Sequence, residues 1–141
     1  MKIHSEKEML DFGKSFAKKL KSSPNHAKAT VIELIGDVGV GKTTFTRGLA
    51  EGLGVKEPVT SPSFTISKSY ALPSNGNLIH YDFYRLNDPG LMQEDLAENL
   101  QNPKNIIIIE WGNSISNLLP PKHLTIIINY DDQGNRDIIS T

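Results

Sequence analysis

In the stretch LIGDVGVGKTTFTRGL, residues 34–49, three glycines and a lysine follow directly on an apolar run. Gly36, Gly41, Lys42 and Thr43 match the pattern G-x-x-x-x-G-K-[S/T], whose chemistry is the grip on a polyphosphate. Each residue type has a reason. A loop running from Gly36 through Asp37, Val38, Gly39 and Val40 to Gly41 can turn its backbone N–H groups inward around phosphate oxygens. The helix that follows adds its positive dipole end. Lys42 is then a point charge for the β- and γ-phosphates, and the Thr43 hydroxyl is a Mg²⁺ ligand. Thr44 is either a further phosphate contact or simply a first-turn helix residue.

Such a loop needs a carboxylate to hold Mg²⁺ or its water, usually at the carboxyl end of a neighbouring strand. NIIIIEW supplies Glu110 after four consecutive isoleucines, a run that reads as a fully buried strand ending at the crevice where α/β folds bind ligands. Most phosphate-loop proteins carry Asp at this place, whereas here a lone Glu precedes Trp111. In HYDFYR the period of two puts His80, Asp82 and Tyr84 on one face of a strand and Tyr81, Phe83 and Arg85 on the other. Asp82 can orient a water or complete the Mg²⁺ shell. His80 has no metal-ligating partner at useful spacing and reads as a packing or hydrogen-bonding residue. TSPSFT offers the hydroxyls of Thr60, Ser61, Ser63 and Thr65, where switch segments of nucleotide hydrolases lie, or else is a plain Ser/Pro loop.

The nucleotide reads as ATP. No N-K-x-D guanine-reading element is present, and the one D-x-x-G string, Asp131 to Gly134, lies in a terminal turn. A small-molecule kinase would carry several lid arginines, but beyond Arg47 in the loop helix only Arg85 and Arg136 remain. That leaves a hydrolase as the leading reading, with a metabolite kinase and a non-catalytic nucleotide-sensing adaptor as its rivals.

The elements that must position these residues are legible from periodicity. Met9, Phe12, Phe16 and Leu20 fall at helical spacing, with Ser5 and Glu8 as a capping box at the start. Lys14, Lys18, Lys19 and Lys21 lie on the opposite, solvated side. TVIELIG is a strand covered on both faces, TFTRGLAEGLG is a helix with Gly54 as its C-cap, and the two runs flanking PSNG form a hairpin. DPGLMQEDLAENL is a helix opened by Asp88 and Pro89; HLTIIINY and RDIIS close the chain as a second hairpin. Arg136 there is either a cross-strand surface charge or a nucleotide or partner contact. The pattern predicts a single α/β domain over residues 1–141: a phosphate-loop NTPase-like sandwich with a mixed, largely parallel sheet flanked by helices.

Composition excludes other classes. The 141 residues carry no cysteine, which removes disulfides, thiol catalysis and zinc–thiolate sites. A formal net charge of -1 gives no global field for nucleic acid, so no DNA partner is expected. The charged N-terminus lacks a signal-peptide core and no segment is of membrane length. The reading is a cytoplasmic protein with no membrane partner.

GDVGVGKTTFTRGLAEGLG, VTSPSFT, HYDFYRL and IIIIEW stand in the order and spacing of the bacterial TsaE (YjeE) ATPases, and the chain resembles that family over nearly its whole length. The resemblance implies an ATPase, weak alone, that supports threonylcarbamoyl modification of tRNA adenosine 37 in complex with TsaB-like and TsaD-like partners, its contact with tRNA being indirect. It also implies that the loop from Gly36 to Thr44 holds phosphate, that Thr43 and Glu110 hold Mg²⁺, and that Lys42 acts in hydrolysis. Asp82 matches an activity-associated carboxylate, either it or Glu110 orienting the water, and Trp111 a tryptophan beside the site. Thr60 to Thr65 look like the family's switch-like segment. Where family members often have Thr near the nucleotide base, this chain has Met9, to which no base-contacting role is transferred.

Overall fold

A computed structural model describes residues 1–22, 27–37, 39–60, 67–83 and 90–141. In chain order the elements are β1 (Lys2–Ile3), α1 (Glu6–Lys21), β2 (Thr30–Ile35), α2 (Lys42–Leu53), β3 (Ser67–Ala71), β4 (Asn77–Asp82), α3 (Leu91–Asn99), β5 (Ile106–Glu110), a 3₁₀ segment (Gly112–Leu118), β6 (Leu124–Tyr130) and β7 (Arg136–Ser140). The strands form one seven-stranded sheet in the order β1-β7-β6-β2-β5-β4-β3. Its central ladders, β6 with β2, β2 with β5 and β5 with β4, are parallel. Both edges are antiparallel, through the two expected hairpins β3–β4 and β6–β7 and through β1 on β7. The expected mixed α/β sandwich is therefore present, with its parallel part confined to the four middle strands. Asp88 and Pro89, expected to open α3, lie outside the described residues.

Local chemistry sets the first helix. The Glu8 N–H donates to Ser5 Oγ at 3.1 Å, but the Glu8 carboxylate reaches one residue further back than a capping box requires and accepts from the His4 N–H at 2.5 Å. Glu6 and Glu8 in the first turn and Lys18, Lys19 and Lys21 in the last complement the helix dipole. Gly54 ends α2 with φ 91°, the left-handed cap expected of it.

The sheet is covered on both faces, and its residues alternate accordingly. Ile32, Leu34, Leu78, Ile108 and Ile126 pack under α1 and α2 with Met9, Phe45 and Leu49. Val31, Ile79, Tyr81, Ile107 and Ile109 pack under α3 and the 3₁₀ segment with Leu96 and Ile115. The isoleucine run of β5 thus divides between two cores, which is why it shows no alternation. The Tyr81 hydroxyl donates to Asp95 at 2.6 Å and accepts from the Asn99 amide at 2.8 Å. Burial, with the Asp95 carboxylate beside it, pushes this phenol well above the ordinary tyrosine range. Among the described residues no helix is long and apolar enough to cross a membrane.

Small residues let α1 and α2 touch at backbone distance. A methyl group added at Gly48 would stand 2.3 Å from the Leu10 carbonyl oxygen, and one at Gly13 2.6 Å from that of Phe45. Because the obstruction is backbone, it cannot rotate away. Gly48→Ala is therefore expected to destabilise the protein by about 1–3 kcal/mol despite better helix propensity, read as a lower urea midpoint. An unchanged midpoint would show that the two helices are not in this close contact.

Candidate functional site

The parallel ladders bring the candidate residues to one edge. β2 ends at Ile35, Gly36 follows it, and α2 begins at Lys42 with Gly41 as its cap. In register, Leu34 lies beside Glu110 on β5 and Glu110 beside Asp82 on β4. The glycine loop, the β5 carboxylate and the β4 carboxylate thus lie side by side at the carboxyl ends of neighbouring strands, the place where open α/β sheets bind ligands.

The loop is held close to the sheet. A methyl group at Gly36 would stand 2.6 Å from the Ile128 carbonyl oxygen and 2.8 Å from a Val40 methyl, whereas one at Gly39 would meet nothing within 4 Å. The loop is therefore tight against β6 on its inner side and open at Gly39. Val40 is buried and anchors the loop in the core under α1 and α2. Asp37 and Gly39 are exposed, Gly41 caps α2, and Thr43 and Thr44 lie in the first helical turn with Thr43 exposed. Val38 lies outside the described residues.

Lys42 turns back into the loop. Its ammonium donates to the Gly36 carbonyl at 2.6 Å, lies 3.3 Å from Glu110 Oε1, and stands 4.6 Å from the centre of the Trp111 ring. The Lys42 and Glu110 side chains are only 6% and 7% exposed. The second Glu110 oxygen, Oε2, accepts from His80 Nε2. Burial pushes the Glu110 carboxyl up, but the His80 hydrogen bond and the charges of His80 and Lys42 outweigh it, and the group is held below the ordinary glutamate range. Glu110 is therefore the shared acceptor of a buried chain, Lys42 to Glu110 to His80.

The geometry has local costs that mark the site. His80 Nδ1 is buried without a hydrogen-bond partner among the described residues, a loss of about 1–3 kcal/mol. Trp111 has φ 58° and ψ 50°, a left-handed conformation that costs a bulky residue of order 1–3 kcal/mol. That backbone turn carries the ring toward Lys42.

The structure thus brings Lys42, Glu110 and Trp111 into contact and sets Asp82 on the strand next to Glu110. His80, read from sequence as a packing or hydrogen-bonding residue, has its bond on the candidate metal ligand. Of the hydroxyl segment, Thr60 is described, its Oγ1 accepting from Lys68 and its N–H donating to the Tyr70 hydroxyl at 3.3 Å. Ser61, Ser63 and Thr65 lie outside the described residues, as do Tyr84 and Arg85. Arg47 pairs with Glu6 at 2.7 Å and Lys14 with Glu51 at 3.3 Å, so both belong to the outer surface of the helix pair. Tyr130 carried no sequence signal. Its hydroxyl donates to the Gly39 carbonyl at 2.8 Å, and Arg136 Nε donates to the Val40 carbonyl at 3.1 Å. A tyrosine ending a strand before a polar turn points to the loop only once β6 is known to lie beside β2.

The chain is similar to known proteins over most of its length. Residues 3–138 match the family model described as "Threonylcarbamoyl adenosine biosynthesis protein TsaE". A Haemophilus influenzae protein named tRNA threonylcarbamoyladenosine biosynthesis protein TsaE is 37% identical over 140 residues, covering 98% of this chain and 87% of its own. A Bacillus subtilis protein of the same name is 41% identical over 115 residues, 79% of this chain and 68% of its own. The crystal structure of Bacillus subtilis YdiB superposes with a TM-score of 0.73 at 33% identity, covering 98% of this chain and 80% of that one.

The Glu110 shift fixes the sign of a pH effect. Its carboxyl is depressed on folding, so the stability it contributes is complete above the ordinary glutamate range and is lost as pH falls through the lowered value. Glu110→Gln is expected to flatten that acid-side loss in urea melts. At neutral pH it should cost up to about 3 kcal/mol, because Lys42 is left buried without its counter-charge. A variant that tracks the unmodified protein at every pH would show that the pair contributes nothing to folding.

Proposed function

The chain belongs to the TsaE family, and on that premise we propose that it binds and hydrolyses ATP, as ATP + H₂O to ADP + phosphate, in support of threonylcarbamoyl modification of tRNA adenosine 37. The observation that carries the reading is Lys42. A lysine ammonium buried at the first turn of a helix, bonded to the Gly36 carbonyl and Glu110, occupies the position from which it can reach the β- and γ-phosphates of a nucleotide in the loop.

The donors at hand suit Mg²⁺ bound together with a nucleotide. Thr43 offers a hydroxyl and Glu110 and Asp82 offer carboxylates, all hard oxygen ligands. Among the described residues no cluster of three or more His, Cys, Asp and Glu could hold a metal alone. The cation's other positions would fall to phosphate oxygens and water, as Mg²⁺ prefers. Thr43 and Glu110 would hold it, and it would balance charge on the transferring phosphoryl group. Lys42 exchanges Glu110 for phosphate oxygens. Glu110, relieved of the lysine, keeps its His80 bond and its orientation. Either Glu110 or Asp82 beside it orients the attacking water, and Trp111 shields the ammonium from solvent on one side.

Of the described arginines, Arg47 is paired with Glu6 away from the loop, and Arg136 spends its guanidinium on the Val40 carbonyl and the Tyr130 hydroxyl. This supports a partner-dependent hydrolase, in which TsaB-like and TsaD-like proteins complete the site, with tRNA contacted through them. A cation supplied by a partner is worth about 10³–10⁵ in rate in comparable hydrolases. Single-turnover ATP hydrolysis is expected to be slow alone and at least about tenfold faster with both partners present. Lys42→Ala should abolish it in both cases while the urea melt stays cooperative. Equal rates with and without partners would sink the partner-dependent reading, and undiminished turnover by Lys42→Ala would sink the loop as the site.

A further inference from the structure

Tyr130 and Arg136 face each other across the β6–β7 hairpin, the guanidinium carbon 4.7 Å from the tyrosine ring centre. Both turn their polar atoms onto the outer side of the glycine loop, at the Gly39 and Val40 carbonyls. In a planar trans peptide, the carbonyl of one residue and the N–H of the next point in opposite directions. Holding the Gly39 carbonyl therefore fixes the Val40 N–H, which donates to the Asp37 carbonyl at 3.2 Å. Holding the Val40 carbonyl fixes the Gly41 N–H on the side away from the hairpin.

These two peptides are the ones most in need of an outside hold. Val40 is flanked by Gly39 at φ 83° and Gly41 at φ 118°, and glycine adopts either sign of φ with little penalty. The hairpin that holds them is itself braced. Asp131 Oδ1 accepts from the Gln133 and Asn135 N–H groups at 2.8 and 2.9 Å, and Asp131 Oδ2 takes the Lys2 ammonium at 3.1 Å. We propose that Tyr130 and Arg136 are positioning residues, a clamp that keeps the Gly39 and Val40 carbonyls outward, the Val40 N–H in its turn with Asp37 and the Gly41 N–H on the phosphate side before any ligand arrives. The clamp rests on the reading of residues 36–41 as a phosphate loop, and it sets affinity rather than the chemical step.

Tyr130→Phe removes only the hydroxyl and keeps the ring under Arg136; Arg136→Met keeps the stem and removes the donor. Titrated calorimetrically with Mg-ADP and with inorganic pyrophosphate, each variant is expected to bind about fivefold more weakly, the net worth of one hydrogen bond. The double variant should lose about twentyfold. The loss should be the same for both probes, since both occupy the loop. In hydrolysis it should fall on KM rather than kcat, which a merely structural role would not separate. Hydrogen exchange in the ligand-free protein should quicken in the peptide spanning residues 36–41 and stay unchanged in α1 and α3. If the unmodified protein binds neither probe, the nucleotide reading fails while the exchange measurement still decides the clamp. Unchanged exchange, or exchange quickened uniformly across the sheet, would overturn it, as would variants that bind both probes at full affinity.

Discussion

The buried pairing of Lys42 with Glu110 is the contact on which the site depends. Two opposite charges excluded from water are stable only with good geometry and with their remaining hydrogen-bonding capacity met. Here the lysine spends a second bond on the Gly36 carbonyl and the glutamate its second oxygen on His80. The pair joins the first turn of α2 to the end of β5, so the loop between β2 and α2 cannot shift without disturbing the sheet. Removing either member leaves the other buried and uncompensated, which makes the pair a constraint on folding.

Sheet order delivers that constraint. Because β5 lies between β2 and β4, its terminal carboxylate falls between the loop and Asp82. Because β6 lies on the other side of β2, the hairpin it forms with β7 reaches over the loop from outside. The loop is thus gripped from both sides, by charge within and by two carbonyl hydrogen bonds without. The local costs follow the same plan. Trp111 holds a left-handed backbone, and His80 a ring nitrogen unmatched among the described residues, at the points where the structure meets the lysine and its glutamate, the kind of place where strain is retained for function.

Much of this was legible in the sequence, for a physical reason. The glycine loop, the Ser5 cap, the Gly54 stop and both hairpins are set by residues within a few positions of one another, so spacing alone reveals them. Glu110 could be found because four isoleucines before it mark a buried strand, and a carboxylate after such a strand lies at the ligand-binding edge. What spacing does not carry is contact across the sheet. Tyr130 and Arg136 bond loop residues 91 and 96 positions away, and only strand order makes them neighbours. The close contact of Gly48 with Leu10 is hidden likewise, since glycine in a helix reads as a weakness until its partner helix is known. The 3₁₀ segment after Trp111 has neither the length nor the periodicity that would have announced it.

The proposed function requires Lys42 to exchange Glu110 for phosphate, and a crystal structure with Mg²⁺ and a non-hydrolysable ATP analogue tests this directly. The expected result is Lys42 Nζ within about 3 Å of phosphate oxygens, separated from Glu110 by more than ion-pair distance, with Tyr130 and Arg136 still on the Gly39 and Val40 carbonyls. An analogue bound elsewhere on the protein, with the Lys42–Glu110 pair intact beneath an unfilled loop, would contradict it.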